Sequence, residues 1–128
     1  MGNKTLREEV LAYGRKKYRS DAEYLWEDTP GAAVLRHADN RKWYALVMKV
    51  ERVRLGIGGD GAVDVLNVKC DPGMVMILKN TVGFLPAYHM NKTRWISVLL
   101  DGTVGRDTVL DLVDQSFALT SPKKQTKQ

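Results

Sequence analysis

Cysteine is almost absent: Cys70 stands alone in 128 residues, so no internal disulfide can form and a reducing cytoplasm is the expected compartment. No apolar run approaches the roughly 20 residues that a membrane-spanning helix needs, so no membrane partner is expected. The opening MGNKTLREEV is polar and lacks the apolar centre of a signal peptide. Gly2 begins an acylation frame, but Leu6 stands where that frame needs Ser or Thr. Soft metal ligands are equally scarce. His37, Cys70 and His89 lie far apart, without Cys-x-x-Cys or His-x-x-x-His spacing, so no metal site is expected. Cys70 reads as a buried structural thiol and both histidines as surface residues.

Signatures of catalysis are also missing. Neither Ser97 nor Ser116 sits in a Gly-x-Ser-x-Gly elbow. A Cys70–His89 dyad would work against Asp71, whose carboxylate raises a neighbouring thiol's pKa, although a helix N-terminus there would oppose it. Glu27 and Asp28 are adjacent and point apart unless a turn intervenes, and Glu8 and Glu9 serve capping and solvation. No catalytic residue and no cofactor is expected, and the chain reads as non-enzymatic.

What the chain does have is the 44% apolar and 27% charged content of one globular domain. The net charge of +5 is partly a matter of location. Lys123, Lys124 and Lys127 belong to a terminal segment with no apolar anchor, and without them 17 basic residues face 15 acidic ones. Residues 1–121 are expected to form the domain and 122–128 a flexible basic tail.

Thr5-Leu6-Arg7-Glu8 fits a capping box and predicts a helix over Leu6–Tyr18, its apolar stripe built on Leu6, Val10 and Tyr13. Arg7, Arg15 and Lys16 on the other face are expected to solvate it. After the Asp28-Thr29-Pro30-Gly31 turn, a strand over 32–36 and a strand over 43–50 form a hairpin. Gly56, Gly58 and Gly61 satisfy G-x-G-x-x-G, but the alternating AVDVLNVK of residues 62–69 predicts a strand where a dinucleotide site needs a helix. Those glycines make a hairpin loop. Asp71-Pro72 starts a short second helix, with Met74, Ile77 and Leu78 as its expected buried face. Strands near 85–88 and over 95–100 follow. A last helix over 106–119 sets Leu110, Val113 and Phe117 inward and Asp107, Asp111 and Asp114 along an acidic stripe opposite the core. The order α-β3-α-β2-α with a largely antiparallel sheet is α+β, in a single domain for which a monomer is favoured.

One surface mixes rings with cations. Arg36, His37, Arg41, Lys42 and Trp43 lie at one hairpin, and Tyr88, His89, Asn91, Lys92, Arg94 and Trp95 at the next. Cations neutralise phosphates and rings stack on bases, which is how single-strand nucleic-acid surfaces are built. The same pattern also fits strand ends decorated by solvated charge, with Trp43 and Trp95 turned into the core.

Several runs then carry a family resemblance: Tyr24-Leu25-Trp26-Glu27-Asp28, Leu35-Arg36-His37-Ala38-Asp39-Asn40-Arg41-Lys42-Trp43-Tyr44, Leu66-Asn67-Val68-Lys69-Cys70-Asp71-Pro72, and above all Pro86-Ala87-Tyr88-His89-Met90-Asn91-Lys92 before Trp95-Ile96-Ser97-Val98. Together with the Asp101-Gly102 turn and Ser116 they resemble the MmcQ/YjbR family across roughly residues 22–122. Arg94 replaces a histidine common in that family, and Phe117 a tyrosine, so no role special to either group is carried over. The resemblance implies a double-wing arrangement similar to secretion chaperones and the CyaY-like sandwich, and a DNA-binding role. The residues matched to that role are Arg36, Lys42, Lys69, Tyr88, His89, Asn91, Lys92, Arg94 and Trp95. A protein-interaction or chaperone-like adaptor is the alternative that the same resemblance implies.

Overall fold

The first helix begins where its capping residues place it. In the computed structural model, which describes residues 4–122, Thr5 accepts a hydrogen bond from the Glu8 amide while the Glu8 carboxylate accepts one from the Thr5 amide. This closes a full capping box on α1 (Leu6–Tyr18). β1 (Ala33–Arg36), β2 (Trp43–Glu51) and β3 (Ala62–Lys69) follow as an antiparallel meander, with a short 3-10 turn at Arg52–Leu55 before the glycine loop. Asp71 caps α2 (Pro72–Leu78) through the Gly73 amide. β4 (Phe84–Pro86), β5 (Trp95–Leu99) and α3 (Arg106–Thr120) complete the order α-β3-α-β2-α. The five strands stand in the order β1-β2-β3-β5-β4, antiparallel throughout, because β5 returns between β3 and the outer β4. Among the described residues, no helix is long and apolar enough to cross a membrane.

All three helices contribute to the cluster on one face, where Val10, Val75, Val109 and Val113 meet Leu35, Val47, Leu66, Val68, Ile96 and Val98. α1 comes close to the sheet at Gly14, where an added Cβ would stand 2.7 Å from Leu35 Cδ1. The opposite face carries a second cluster of Val34, Leu46, Met48, Val50, Val63, Val65 and Leu99. Among the described residues no α-helix packs there; Trp43, Leu55, Ile57, Leu85, Tyr88 and Met90 cover it from neighbouring turns, loops and strand ends.

A register shift between Leu35 and Arg36 decides which ring goes where. Leu35 pairs with Ala45 but Arg36 pairs with Trp43, so Tyr44 is the extra residue of a bulge. Tyr44 therefore joins Ala45 in the helix-side core, and Trp43 packs on the other face. Ser116 of α3 secures this end: its hydroxyl donates to the Tyr44 carbonyl at 2.6 Å and accepts from the Lys69 amide at 2.8 Å.

Four expectations need correction. His37 is buried, not on the surface: its ring lies 4.1 Å from Phe117 and 5.4 Å from Tyr44. Its Nε2 stands 2.8 Å from Thr120 Oγ1, a hydroxyl that also bonds the Ser116 carbonyl at 2.8 Å. Asp114 does not simply face solvent. It accepts from Tyr13 at 2.7 Å, from Tyr18 at 2.5 Å and from Lys17 at 3.2 Å, locking α1 to α3. Arg7 likewise bonds the Gly31 carbonyl and pairs with Asp64 at 3.3 Å. On α2 the buried face is Val75 with half-buried Leu78, whereas Met74, Met76 and Ile77 are exposed. The expected tail at 123–128 lies outside the described residues.

Two stability measurements follow from these contacts. Burial alone would raise the Asp114 carboxyl, but donation from Tyr18, Tyr13 and Lys17 outweighs it and holds the group below its ordinary 3.8. Asp114→Ala should lower unfolding stability by about 2 kcal/mol in urea titration at neutral pH. The wild-type advantage should be complete above pH 3.8 and disappear as pH falls through the depressed folded value. Burial pushes the His37 imidazole below its ordinary 6.5. The unfolded chain then binds a proton that the folded one refuses, so stability should be level above pH 6.5 and decline below it. That decline should be shallower in His37→Gln.

Candidate functional site

The antiparallel meander brings the selected residues to one end of the sheet. β1 ends at Arg36, β2 starts at Trp43, β3 ends at Lys69 and β5 starts at Trp95, and Arg36 pairs with Trp43 as Lys69 pairs with Trp95. Lys42 and Arg94 are the residues just outside those strands, and the 87–94 loop emerges beside them. Of the nine residues, Lys42, Lys69, Lys92 and Arg94 make no ion pair within 4.0 Å among the described residues. Lys42, Lys92 and Arg94 are exposed, and Lys69 and Trp95 are half-buried. Arg36 is different. Its guanidinium holds Glu23 through two hydrogen bonds of 3.0 and 2.6 Å, an arrangement that raises the arginine and lowers the glutamate away from their ordinary values. Arg36 thus ties the 23–24 segment to β1 and does not reach outward as a free cation.

Asn91 is also used locally. Its side-chain oxygen accepts from the Thr93 and Arg94 amides at 2.9 and 3.0 Å, and its carbonyl accepts from the Trp95 amide at 3.0 Å. It shapes the turn that presents Lys92 and Arg94. Tyr88 and His89 owe their positions to two buried polar residues below them. Asn67 and Ser97 pair across β3 and β5, both fully buried. The Asn67 amide donates to the Tyr88 carbonyl at 2.9 Å, the Tyr88 amide donates to Ser97 Oγ at 2.9 Å, and Ser97 donates to Asn67. This closed network satisfies every partner it touches and pins the loop to the sheet. His89 itself adopts a left-handed backbone with φ 61°, a conformation that non-glycine residues adopt at functional turns more than elsewhere.

Tyr88 and His89 do more than stand among the cations. With Met90 they form one wall of a groove of about 630 Å³ on the sheet face that no helix covers. Trp26 and Trp43 form the other wall, their rings crossing edge-on at 5.7 Å. Ala32, Leu46, Met48 and Val50 make the floor, and Glu51 and Arg54 also line it. Trp26, Met48, Met90 and Arg54 were not among the residues selected from sequence. Only Trp26 carried a signal, as a large aromatic in a polar loop before the Asp28-Thr29-Pro30-Gly31 turn.

The remaining candidates behave as structural groups. Cys70 is buried beneath the sheet's end, and burial followed by the Asp71 charge pushes its thiol up, away from a reactive thiolate. Among the described residues, no three His, Cys, Asp or Glu side chains gather as a metal site would require.

Comparison with known proteins gives the chain its relatives. The YjbR family model matches residues 15–119. The chain is 42% identical over 114 residues to the uncharacterized protein YyaQ of Bacillus subtilis, covering 89% of this chain and 97% of that protein. A crystal structure of a Pseudomonas syringae protein superposes with a TM-score of 0.87 at 44% identity, covering 90% of this chain and 98% of that one. A Deinococcus radiodurans protein with a DUF419 domain has the same fold at a TM-score of 0.62 and 26% identity, over 84% of this chain and 72% of that one. With the match running from within α1 to the last turn of α3, and the strand order and helix placement described above, this chain belongs to the YjbR family.

Proposed function

We propose that this protein is a non-enzymatic DNA-binding module that holds the sugar-phosphate backbone along the end of the sheet where β1 and β3 finish and β2 and β5 begin. The observation that carries the reading is the grouping of unpaired cations at that end. Arg7, Lys49, Arg52 and Arg106 are each engaged by a carboxylate elsewhere in the fold, and Arg36 by Glu23 at this end. Lys42, Lys69, Lys92 and Arg94 share one sheet end and have no such partner among the described residues. Phosphates supply partners for these four cations. The buried, high-pKa thiol of Cys70 supports binding without a covalent step. Arg36 and Asn91 serve this reading by shaping the surface, and the contacts belong to the four cations with Tyr88, His89 and Trp95.

A specific observation favours a second reading, a protein-interaction adaptor: Met74, Met76 and Ile77 of α2 are 41%, 62% and 65% exposed, with Val82 following at 81%. Single scattered apolar residues need no explanation, but four within one short helix and its exit form a surface for a partner.

Fluorescence anisotropy with labelled duplex and single-stranded DNA tests the first reading. Binding is expected at low salt, with log K falling linearly as log salt rises. The Lys92→Ala/Arg94→Ala protein should bind more weakly at every sequence, with a salt slope shallower by roughly 1.5. Absence of binding at low salt, or an unchanged slope in the double variant, would overturn it. A Met76→Gln/Ile77→Gln protein should bind DNA as the wild type does, whereas the adaptor reading predicts loss of a co-purifying polypeptide from that variant alone.

A further inference from the structure

We infer that the nucleic acid taken by this protein is an unpaired single strand, one base of which is seated in the groove between Trp26 and His89. The inference rests on the DNA-binding reading and names its substrate class. A duplex keeps its bases stacked and paired, so only its backbone reaches the rim, and the apolar groove would gain nothing from it. A single strand presents both parts at once: phosphates at regular intervals and flat apolar rings between them.

The structure offers the matching pair side by side. The 87–94 loop carries Tyr88 and His89 into the groove wall and Lys92 and Arg94 onto the charged rim within a span of seven residues. Trp43 belongs to the opposite wall and directly follows Lys42. Rim cations and groove rings thus follow one another directly along the chain at both walls. The groove's volume of about 630 Å³ lies within the range of small-ligand sites and exceeds what one side chain would fill. Its walls are aromatic and its floor aliphatic, with methionine sulfurs at Met48 and Met90, which suits the face and edge of a base of any sequence. Lys49, Glu51 and Arg54 bring charged groups to the lining that meet polar groups on the base edge.

The site is also preformed. The Asn67–Ser97 network fixes the Tyr88 backbone from below, and Trp26 braces Trp43. Preorganisation of this kind lowers the ordering cost that a flexible stacking surface would bear.

Three probes on the full chain separate this inference from the reading beneath it: a labelled 12-nucleotide thymidine strand, an abasic strand of the same length, and a duplex. The thymidine strand should bind at least about tenfold more tightly than the abasic strand at equal salt. It should also bind more tightly than the duplex and quench tryptophan fluorescence, which the abasic strand should not do. Trp26→Ala removes a ring that is 36% exposed and should leave the fold intact, as a thermal melt would check. It should weaken thymidine-strand binding roughly 5- to 100-fold while leaving abasic binding and the salt slope unchanged. Equal affinity for thymidine and abasic strands, or tighter binding of duplex, would overturn the groove's role and leave the charged rim standing. Failure of all three probes to bind at low salt would overturn both.

Discussion

A five-stranded sheet whose three helices all pack on one face must bury its other face with what the loops can supply, and the rest of this structure is arranged around that one-sidedness. Val34, Leu46 and Val65 are as buried as residues on the helix side, although no helix reaches them. Side chains from the 52–57 turn, from β4 and from the 88–90 loop do the covering, and Trp43 closes the remaining edge. Loops cannot seal a face as a helix does, because their backbone groups need partners that a fully buried loop would lose. A groove remains between Trp43 and the Tyr88–Met90 segment. The candidate site is the part of the second face that the loops leave open.

Keeping that groove open requires the loop to stay where it is, and polar residues do this where apolar ones could not. Asn67 and Ser97 lie on adjacent strands at 0% exposure, in positions that Val or Ile would fill in an ordinary sheet. Two buried polar side chains without partners would cost several kcal/mol. Here each bonds the other and both bond Tyr88, so their desolvation is offset by fixing a backbone that has no strand ladder of its own. The bulge at Tyr44 makes the complementary adjustment on β2. One extra residue sends Tyr44 into the aromatic cluster with Tyr18, His37 and Phe117 and turns Trp43 toward the groove. Ser116 then bonds the bulge's carbonyl on one side and β3's amide on the other, so α3 holds in register the strand end where the cations emerge.

Elements with strong local signals were legible in the sequence. The capping box and stripe of α1 and the alternation of β3 gave bounds that coincide with the structure, and rejecting a nucleotide fold at the glycines followed from that alternation. What was not legible depends on contacts between distant segments. A two-turn helix does not define its own buried face, and β4 and β5 decide that Val75 points inward in place of Met74. The facing of Trp43 could not be read from period-two alternation because the bulge interrupts it. His37 looked like a surface residue because its burial depends on Phe117 and Thr120, some eighty residues on. Asp114 looked solvated because its partners are on α1. For the site, the cations and the rings at 88–95 were visible as composition, whereas the groove they border needed Trp26 and the floor of β2 to be placed in space.

The distribution of charge follows from the same layering. α3 presents Asp107, Asp111 and Asp114 on the helix side, where Asp107 and Asp114 meet Arg106, Lys17 and the tyrosines of α1. Carboxylates there hold the helices together and make that layer unfavourable for a polyanion. At the strand ends the turns between β1 and β2 and before β5 contribute Lys42, Lys92 and Arg94 with no carboxylate within pairing distance among the described residues. Packing explains Asp114, which bridges α1 and α3, while Asp107 and Asp111 bond within α3. No packing need explains the strand-end cations, since exposed cations gain little from one another and repel at close range. Like charges that the fold does not use for its own stability, set beside an aromatic groove that the loops leave open, are the two features on which the proposed nucleic-acid site rests.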